Sequence, residues 1–278
     1  MKPRGITVCV DYDDLLQLTL PQNLQFVSEQ WVVTSPTDDR TQKLLRDKFP
    51  AVKVFVTDAF TRYGASFNKG LAMEEAFTAM GRDGWILIWD ADTVFESRLF
   101  SGFVGVARFS KDILYGCRRL ILTDPTIYEA DPAAAWRQAV RTDDTDIPGY
   151  FQLFNAAAPQ LKGREFWYDP TFAHAGGGDA YFHSLWSVKR KRRLPILVLH
   201  LGPRDCNWFG RVSARVDGGD VAGEGRQEVE LAALRKFQGW RDIHRGKHKN
   251  ADGKVLDRVS VPGVKSTYVW GRSKPPEQ

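Results

Sequence analysis

The first hundred residues switch repeatedly between two hydrophobic periods, and this alternation limits the fold more than any other feature. Four short apolar runs, "ITVCV" (6–10), "WVVT" (31–34), "VKVFV" (52–56) and "WILIWD" (85–90), have the length and β-branched or aromatic content of strands covered on both faces. Helical patterns lie between them. "DDRTQKLLRDKF" (38–49) opens on an aspartate suited to a cap and sets Leu44, Leu45 and Phe49 on one side. "SFNKGLAMEEAFTAM" (66–80) carries a stripe of Leu71, Ala72, Ala76 and Met80. Strands alternating with helices predict a parallel, doubly wound sheet. Such sheets bind ligands beyond the carboxyl ends of their strands.

Acids gather at those ends. Asp11, Asp13 and Asp14 follow the first run, Asp38 and Asp39 the second, and Asp90 and Asp92 the fourth. A carboxylate rarely sits against a buried strand unless it is paired, hydrogen-bonded or bound to a cation. Two carboxylates flanking one residue can hold a magnesium- or manganese-sized ion through oxygen, with positions left for a diphosphate. The ion then neutralises charge on a departing phosphate.

Downstream the pattern is less regular. "ILYGCRRLILT" (113–123) and "GYFQLFNAA" (149–157) read as strands, with a short helix and an acidic loop between them. "AHAGGGDAYFHSLWSVKRKRR" (173–193) begins glycine-rich and turns helical near Asp179. "LPILVLHLG" (194–202) is a last buried strand that ends in His200, and residues 226–243 form an amphipathic helix candidate. Cys9, Cys117 and Cys206 are far apart and form no CxxC pair, so neither a zinc site nor a disulfide framework is indicated.

Positive charge is concentrated late in the chain. Residues 226–278 hold 12 Lys and Arg against 6 Asp and Glu, whereas the preceding residues hold 27 against 28. A second focus is "KRKRR" (189–193). Segments of this kind attract phosphate-rich partners, nucleic acid or an anionic membrane surface. No apolar stretch approaches the roughly 20 residues needed to span a bilayer, and "MKPRGITVCVDYDD" does not read as a signal peptide. A cytoplasmic protein without stable membrane insertion is expected.

The chain resembles glycosyltransferases of the GT-A fold and is similar in layout to glycosyltransferase family 2. The resemblance rests on "DYDDLLQLTLPQNL" after the first strand, "SPTDDRT" after the second, and then "NKGLAMEEAF", "DADT", "GGGDAYF" and the "VLHLG" strand. It implies a Rossmann-like, mainly parallel central sheet flanked by helices, acting on a nucleoside-diphosphate sugar (a UDP-sugar above all) in hexosyl or pentosyl transfer. By the same resemblance Tyr12 and Asp39 line the base and ribose, and Asn68 and Lys69 lie near the nucleotide. Asp90 faces ribose or metal, Asp92 binds Mn2+ or Mg2+ directly, and His200 completes the metal shell. Asp179 falls where inverting members carry their catalytic base, which takes the proton of the acceptor hydroxyl. Residues 1–205 form the transferase domain in this reading, with a nucleotide-sugar half (1–95) and an acceptor half (96–205). Residues 206–278 are a C-terminal extension with a helix and a basic tail.

The chain departs from the family in places. Thr34-Ser35 replaces the usual aspartate after the second strand, Gly178 replaces the acid before Asp179, and the QxxRW-type motif of processive members is absent. On the acceptor side the basic tail points to a hydroxylated base in DNA, as in phage-type DNA modification. A surface glycan, a small molecule or a protein is the alternative. A different class, the haloacid-dehalogenase-like phosphatases, shares the hhhhDxDxT pattern of "ILIWDADTVF", with Asp90 as nucleophile and Asp92 as acid. That class begins its fold with this strand, whereas here three strands precede it.

Overall fold

The structure, a computed structural model, describes residues 2–96, 109–142, 147–172, 174–175, 178–203, 207, 210–211 and 213–220. The helix candidate at 226–243 and the basic tail lie outside the described residues, as do Cys206 and Trp208.

The expected alternation is present. Strand β1 (Arg4–Val8) leads to α1 (Asp13–Asn23), β2 (Glu29–Thr34), α2 (Asp39–Lys48), β3 (Lys53–Val56), α3 (Lys69–Met80) and β4 (Trp85–Trp89). A short β5 (Thr93–Phe95) follows at once, then β6 (Leu114–Leu122), α4 (Thr126–Ala130), α5 (Pro132–Gln138) and β7 (Val140–Arg141). The described chain closes with β8 (Phe151–Asn155), α6 (Gly178–Ser184) and β9 (Lys191–Leu201).

These strands make a sheet in the order β3-β2-β1-β4-β8-β6-β9-β5, with β7 paired to β6 off that path. Pairing is parallel from β3 through β4 and antiparallel where β8 joins β4. This is a mixed α/β arrangement, a Rossmann-like parallel half continued by a mixed second half. An antiparallel neighbour at β4 does not suit the phosphatase alternative, because a strand that opens a parallel sheet has parallel neighbours.

Burial explains the unbroken apolar run of β4. Ile86 and Ile88 face a core with Leu71, Ala72, Ala76 and Phe77 of α3, while Trp85, Leu87 and Trp89 face Leu16 and Leu20 of α1. All five residues of β4 are buried, each worth about 1.5–3 kcal/mol relative to exposure. β3 differs from its expectation. It is the sheet edge, and Val54 and Val56 are exposed.

Helix α1 fixes the acidic turn after β4. Thr19 donates its hydroxyl to the Ala91 carbonyl (2.8 Å), and the Asn23 amide donates to Thr93 O (2.7 Å) while accepting from Phe95 N (2.9 Å). β5 then pairs with β9 so that Thr93 stands opposite His200, and Leu201 N donates to Asp92 O at 2.8 Å. Asp92 and His200, 108 positions apart in sequence, are thereby placed side by side.

Candidate active site

Two groups of side chains assemble beyond the ends of β1, β4 and β9. The first contains Lys69, Asp90 and Asp179. Lys69 lies in the first turn of α3, and its Nζ donates to Asp90 Oδ1 (3.1 Å) and to Asp179 Oδ2 (3.3 Å). The lysine side chain is 8% exposed, against 35% for Asp90 and 24% for Asp179. Burial pulls the ammonium pKa down, but the two carboxylates outweigh it and hold the group charged. Burial is also the main influence on Asp179. It raises that carboxyl, Lys69 pulls it back and the Asp90 charge adds to the rise, leaving it net raised. Asp179 Oδ1 is buried with no hydrogen-bond partner among the described residues. A carboxyl raised by burial, with one oxygen left without a partner, has the chemistry of a group that can take a proton.

Close packing builds this placement. Asn68 caps α3, accepting from Leu71 N (2.9 Å), and donates its amide to Pro170 O (2.7 Å). Both functions of the side chain are spent on structure. Gly70 lets the 169–170 backbone approach, since a Cβ there would lie 2.2 Å from Asp169 O. Glu74 accepts from Trp167 N (2.7 Å) and Tyr168 N (2.6 Å), with Arg82 on its other oxygen (2.5 Å). The Tyr168 ring stacks on Phe182 of α6 (4.8 Å), and its hydroxyl donates to Gln152 Oε1 (2.6 Å). Gly149 leaves room for Asp179, because a Cβ on it would lie 1.9 Å from Asp179 Oδ2.

The second group is Asp92 and His200. Their Oδ1 and Nδ1 atoms are 3.2 Å apart, yet neither makes a well-formed hydrogen bond. Burial pushes the Asp92 carboxyl up, but the His200 charge outweighs it and the net direction is down; burial pulls His200 down, and Asp92 reverses that. A carboxylate and an imidazole, buried with unmatched atoms facing each other, fit two ligands of a divalent cation. Such ions take one or two protein ligands and complete their shell with water and substrate phosphate. Asp90, also expected at the metal, is turned to Lys69. Among the described residues no three acid, cysteine or imidazole side chains form a ready-made cage.

Other acids have different roles. Asp39 is exposed on the first turn of α2. Its neighbour Asp38 is buried and bridges the ends of β1 and β2, accepting from Asp11 N (2.8 Å), Thr41 N (3.0 Å) and the Thr34 hydroxyl (3.2 Å). Asp13 and Asp14 do not add to a cation site, because arginines neutralise them. Arg211 forks onto both oxygens of Asp14, with Nη2–Oδ2 at 2.9 Å, and both side chains are fully buried. Arg215 makes a second fork onto Asp13 (2.7 and 2.8 Å). The Arg211 guanidinium also lies over the Tyr12 ring at 4.8 Å. Arg211 and Arg215 therefore tie their stretch of chain to the start of α1. Sequence reading missed it, and the spacing of Arg211 and Arg215 was its one trace.

His174 is buried, and burial alone pulls its pKa down to about 4. His183 meets Lys191 Nζ at 3.0 Å. Trp167 and Trp186 are core residues.

No family model and no curated protein matches the chain. Two crystal structures are similar to it at low identity. One is GalNAc-T7 with UDP, GalNAc and Mn2+: 11% identity, 72% of this chain and 44% of that one covered, TM-score 0.47. The other is S. aureus TarS: 13% identity, 72% of this chain and 37% of that one covered, TM-score 0.47. This chain thus spans less than half the length of either.

Proposed function

We propose that the protein is a metal-dependent, inverting glycosyltransferase that moves a sugar from a nucleoside-diphosphate sugar to an acceptor hydroxyl. The observation that carries this reading is the convergence of Lys69, Asp90 and Asp179 beside the Asp92–His200 pair, from four separate stretches of chain. Asp92 and His200 would hold Mn2+ or Mg2+, which when bound stabilises charge on the diphosphate. Asp90 and Lys69 orient the donor at its sugar end, and Lys69 keeps a positive charge in a largely buried setting. Asp179 accepts the proton of the acceptor hydroxyl as its oxygen bonds to the anomeric carbon. The bond from that carbon to the diphosphate oxygen breaks at the opposite face, so the configuration inverts. Tyr12 and Asp39 belong to the base-and-ribose side in this reading, with Arg211 backing the Tyr12 ring.

We assign a UDP-sugar as donor and a hydroxylated base in DNA as acceptor. The acidic and neutral body joined to a basic C-terminal segment favours a polyanionic acceptor over a neutral glycan. A mass-spectrometric screen tests both assignments: nucleotide sugars are offered with Mn2+ against hydroxymethylated duplex DNA, glycans and small alcohols. A mass increase of one sugar on the DNA supports the reading. Transfer to the glycan set alone would replace the acceptor, and phosphate release from p-nitrophenyl phosphate without sugar transfer would replace the reaction.

A further inference from the structure

At the start of β9 three separate stretches of chain meet in one basic corner. They are the turn at 109–112, the turns at 159–165 and the run 187–193, which together contain eight Lys and Arg against two acids. One of those acids, Asp112, fastens the corner together. Its carboxylate accepts from Arg190 and from the Ser110 hydroxyl (2.5 Å), and its backbone oxygen accepts from the Gln160 amide at 3.3 Å. Asp112 is thus consumed internally and neutralises a single arginine. Lys111, Lys162 and Lys189 are exposed and have no ion-pair partner among the described residues. Arg192 is exposed and donates to the backbone oxygens of Lys189 (3.1 Å) and Lys191 (2.9 Å). Only the 189–193 part of this concentration of charge is evident in the sequence; Lys111 and Lys162 join it through folding.

We infer that this corner docks the phosphodiester backbone of a duplex nucleic acid. Guanidinium and ammonium groups without acidic partners release counterions when they meet phosphates, and that release drives association. The corner is a poor membrane anchor, because Val188 is the single large apolar side chain exposed on 187–193, and charge needs an apolar partner for stable anchoring. Its distance from the site also suits a stiff polyanion. β9 runs from Lys191 at the corner to His200 at the site, about 30 Å by strand rise. A duplex covers that span in about nine base pairs and does not bend appreciably over it. The inference extends the DNA-acceptor reading above by giving the acceptor a second point of attachment. Duplex binding is measured without donor, so the two stand or fall separately.

The test is fluorescence anisotropy of the full chain with a labelled duplex of about 24 base pairs at about 50 and 200 mM salt. With about four phosphates neutralised, affinity drops on the order of a hundredfold between the two salts. Lys189→Glu with Arg192→Glu weakens binding at low salt at least about tenfold and flattens the salt slope by about two. Donor hydrolysis in the same variant stays at the wild-type rate. Lys111→Glu with Lys162→Glu, on different stretches of chain, gives the same pattern. Wild-type duplex binding in both variants overturns the inference by locating any affinity elsewhere, and so does a variant that loses binding to phosphatidylserine vesicles while keeping duplex affinity.

Discussion

Gly149 and Asp179 fit together so closely that the carboxylate fills the volume a side chain on the glycine would need; a Cβ there would lie 1.9 Å from Asp179 Oδ2. The pairing makes a sharp prediction, because the collision is with a reactive group and not with the core. Gly149→Ala displaces the Asp179 carboxylate by an ångström or more. Misplacement on that scale costs about a hundredfold in turnover, whereas overpacking costs about 1–3 kcal/mol in stability. Steady-state kinetics and thermal melting of the variant separate the two: kcat falls far more than the modest loss of stability accounts for.

Lys69 holds down the proton affinity of Asp179, so its removal shifts the acid limb of the activity profile. In Lys69→Met the largest downward pull on Asp179 is gone, and burial and the Asp90 charge, which both favour the protonated acid, are opposed by Tyr168 alone. Asp179 must be ionised to accept a proton, so the pH at which turnover rises moves upward. A pH–rate profile of kcat for the variant and the wild type reads this shift directly. An unmoved acid limb would detach Asp179 from the chemistry.

Arg211 and Asp14 form a buried pair with no exposed face. Removing one partner leaves an uncompensated buried charge, which costs about 3–5 kcal/mol. Arg211→Ala therefore lowers stability by that amount in denaturant titration. Arg46→Ala, whose partner Asp47 is solvent-exposed, changes it by less than about 1 kcal/mol.

Glu74 gives the fold a pH dependence of its own. Burial raises its carboxyl from the ordinary 4.5 to about 7, against the pull of Arg82 and the Tyr168 and Trp167 amides. A raised folded-state pKa means that the folded state binds the proton more tightly. The contribution to stability is full below about pH 4.5 and is lost as pH rises through about 7, on the order of 3 kcal/mol in all. Glu74→Gln keeps an acceptor for the Trp167 and Tyr168 amides and flattens that fall. Chemical denaturation at pH values on both sides of the window measures it.

The middle of the sheet was readable because β4 is buried on both faces and stands out as an unbroken apolar run, with shorter apolar stretches in β1 and β2. Asp90, Asp92, Asp179 and His200 stand out in the sequence because they follow a strand, lie near a strand end or open a helix. What could not be read was pairing across the chain. The resemblance placed Lys69 near the nucleotide, but nothing in its sequence setting shows that α6 brings Asp179 against it. Asp13 and Asp14 pass for cation ligands until Arg211 and Arg215 return from 197 and 202 residues away. Gly149 has no signature at all, since its role is the space it leaves. Local periodicity carries the first kind of information, and only tertiary packing carries the second.

The most direct measurement is sugar transfer and donor binding in Asp179→Asn, with Mn2+ and the nucleotide sugar that the wild type uses. The substitution keeps the shape of the side chain and removes its ability to take a proton. Donor affinity stays within about twofold, and transfer falls by about a hundredfold or more. Wild-type turnover in Asp179→Asn, or a wild-type protein that binds no nucleotide sugar in the presence of Mn2+, contradicts the account.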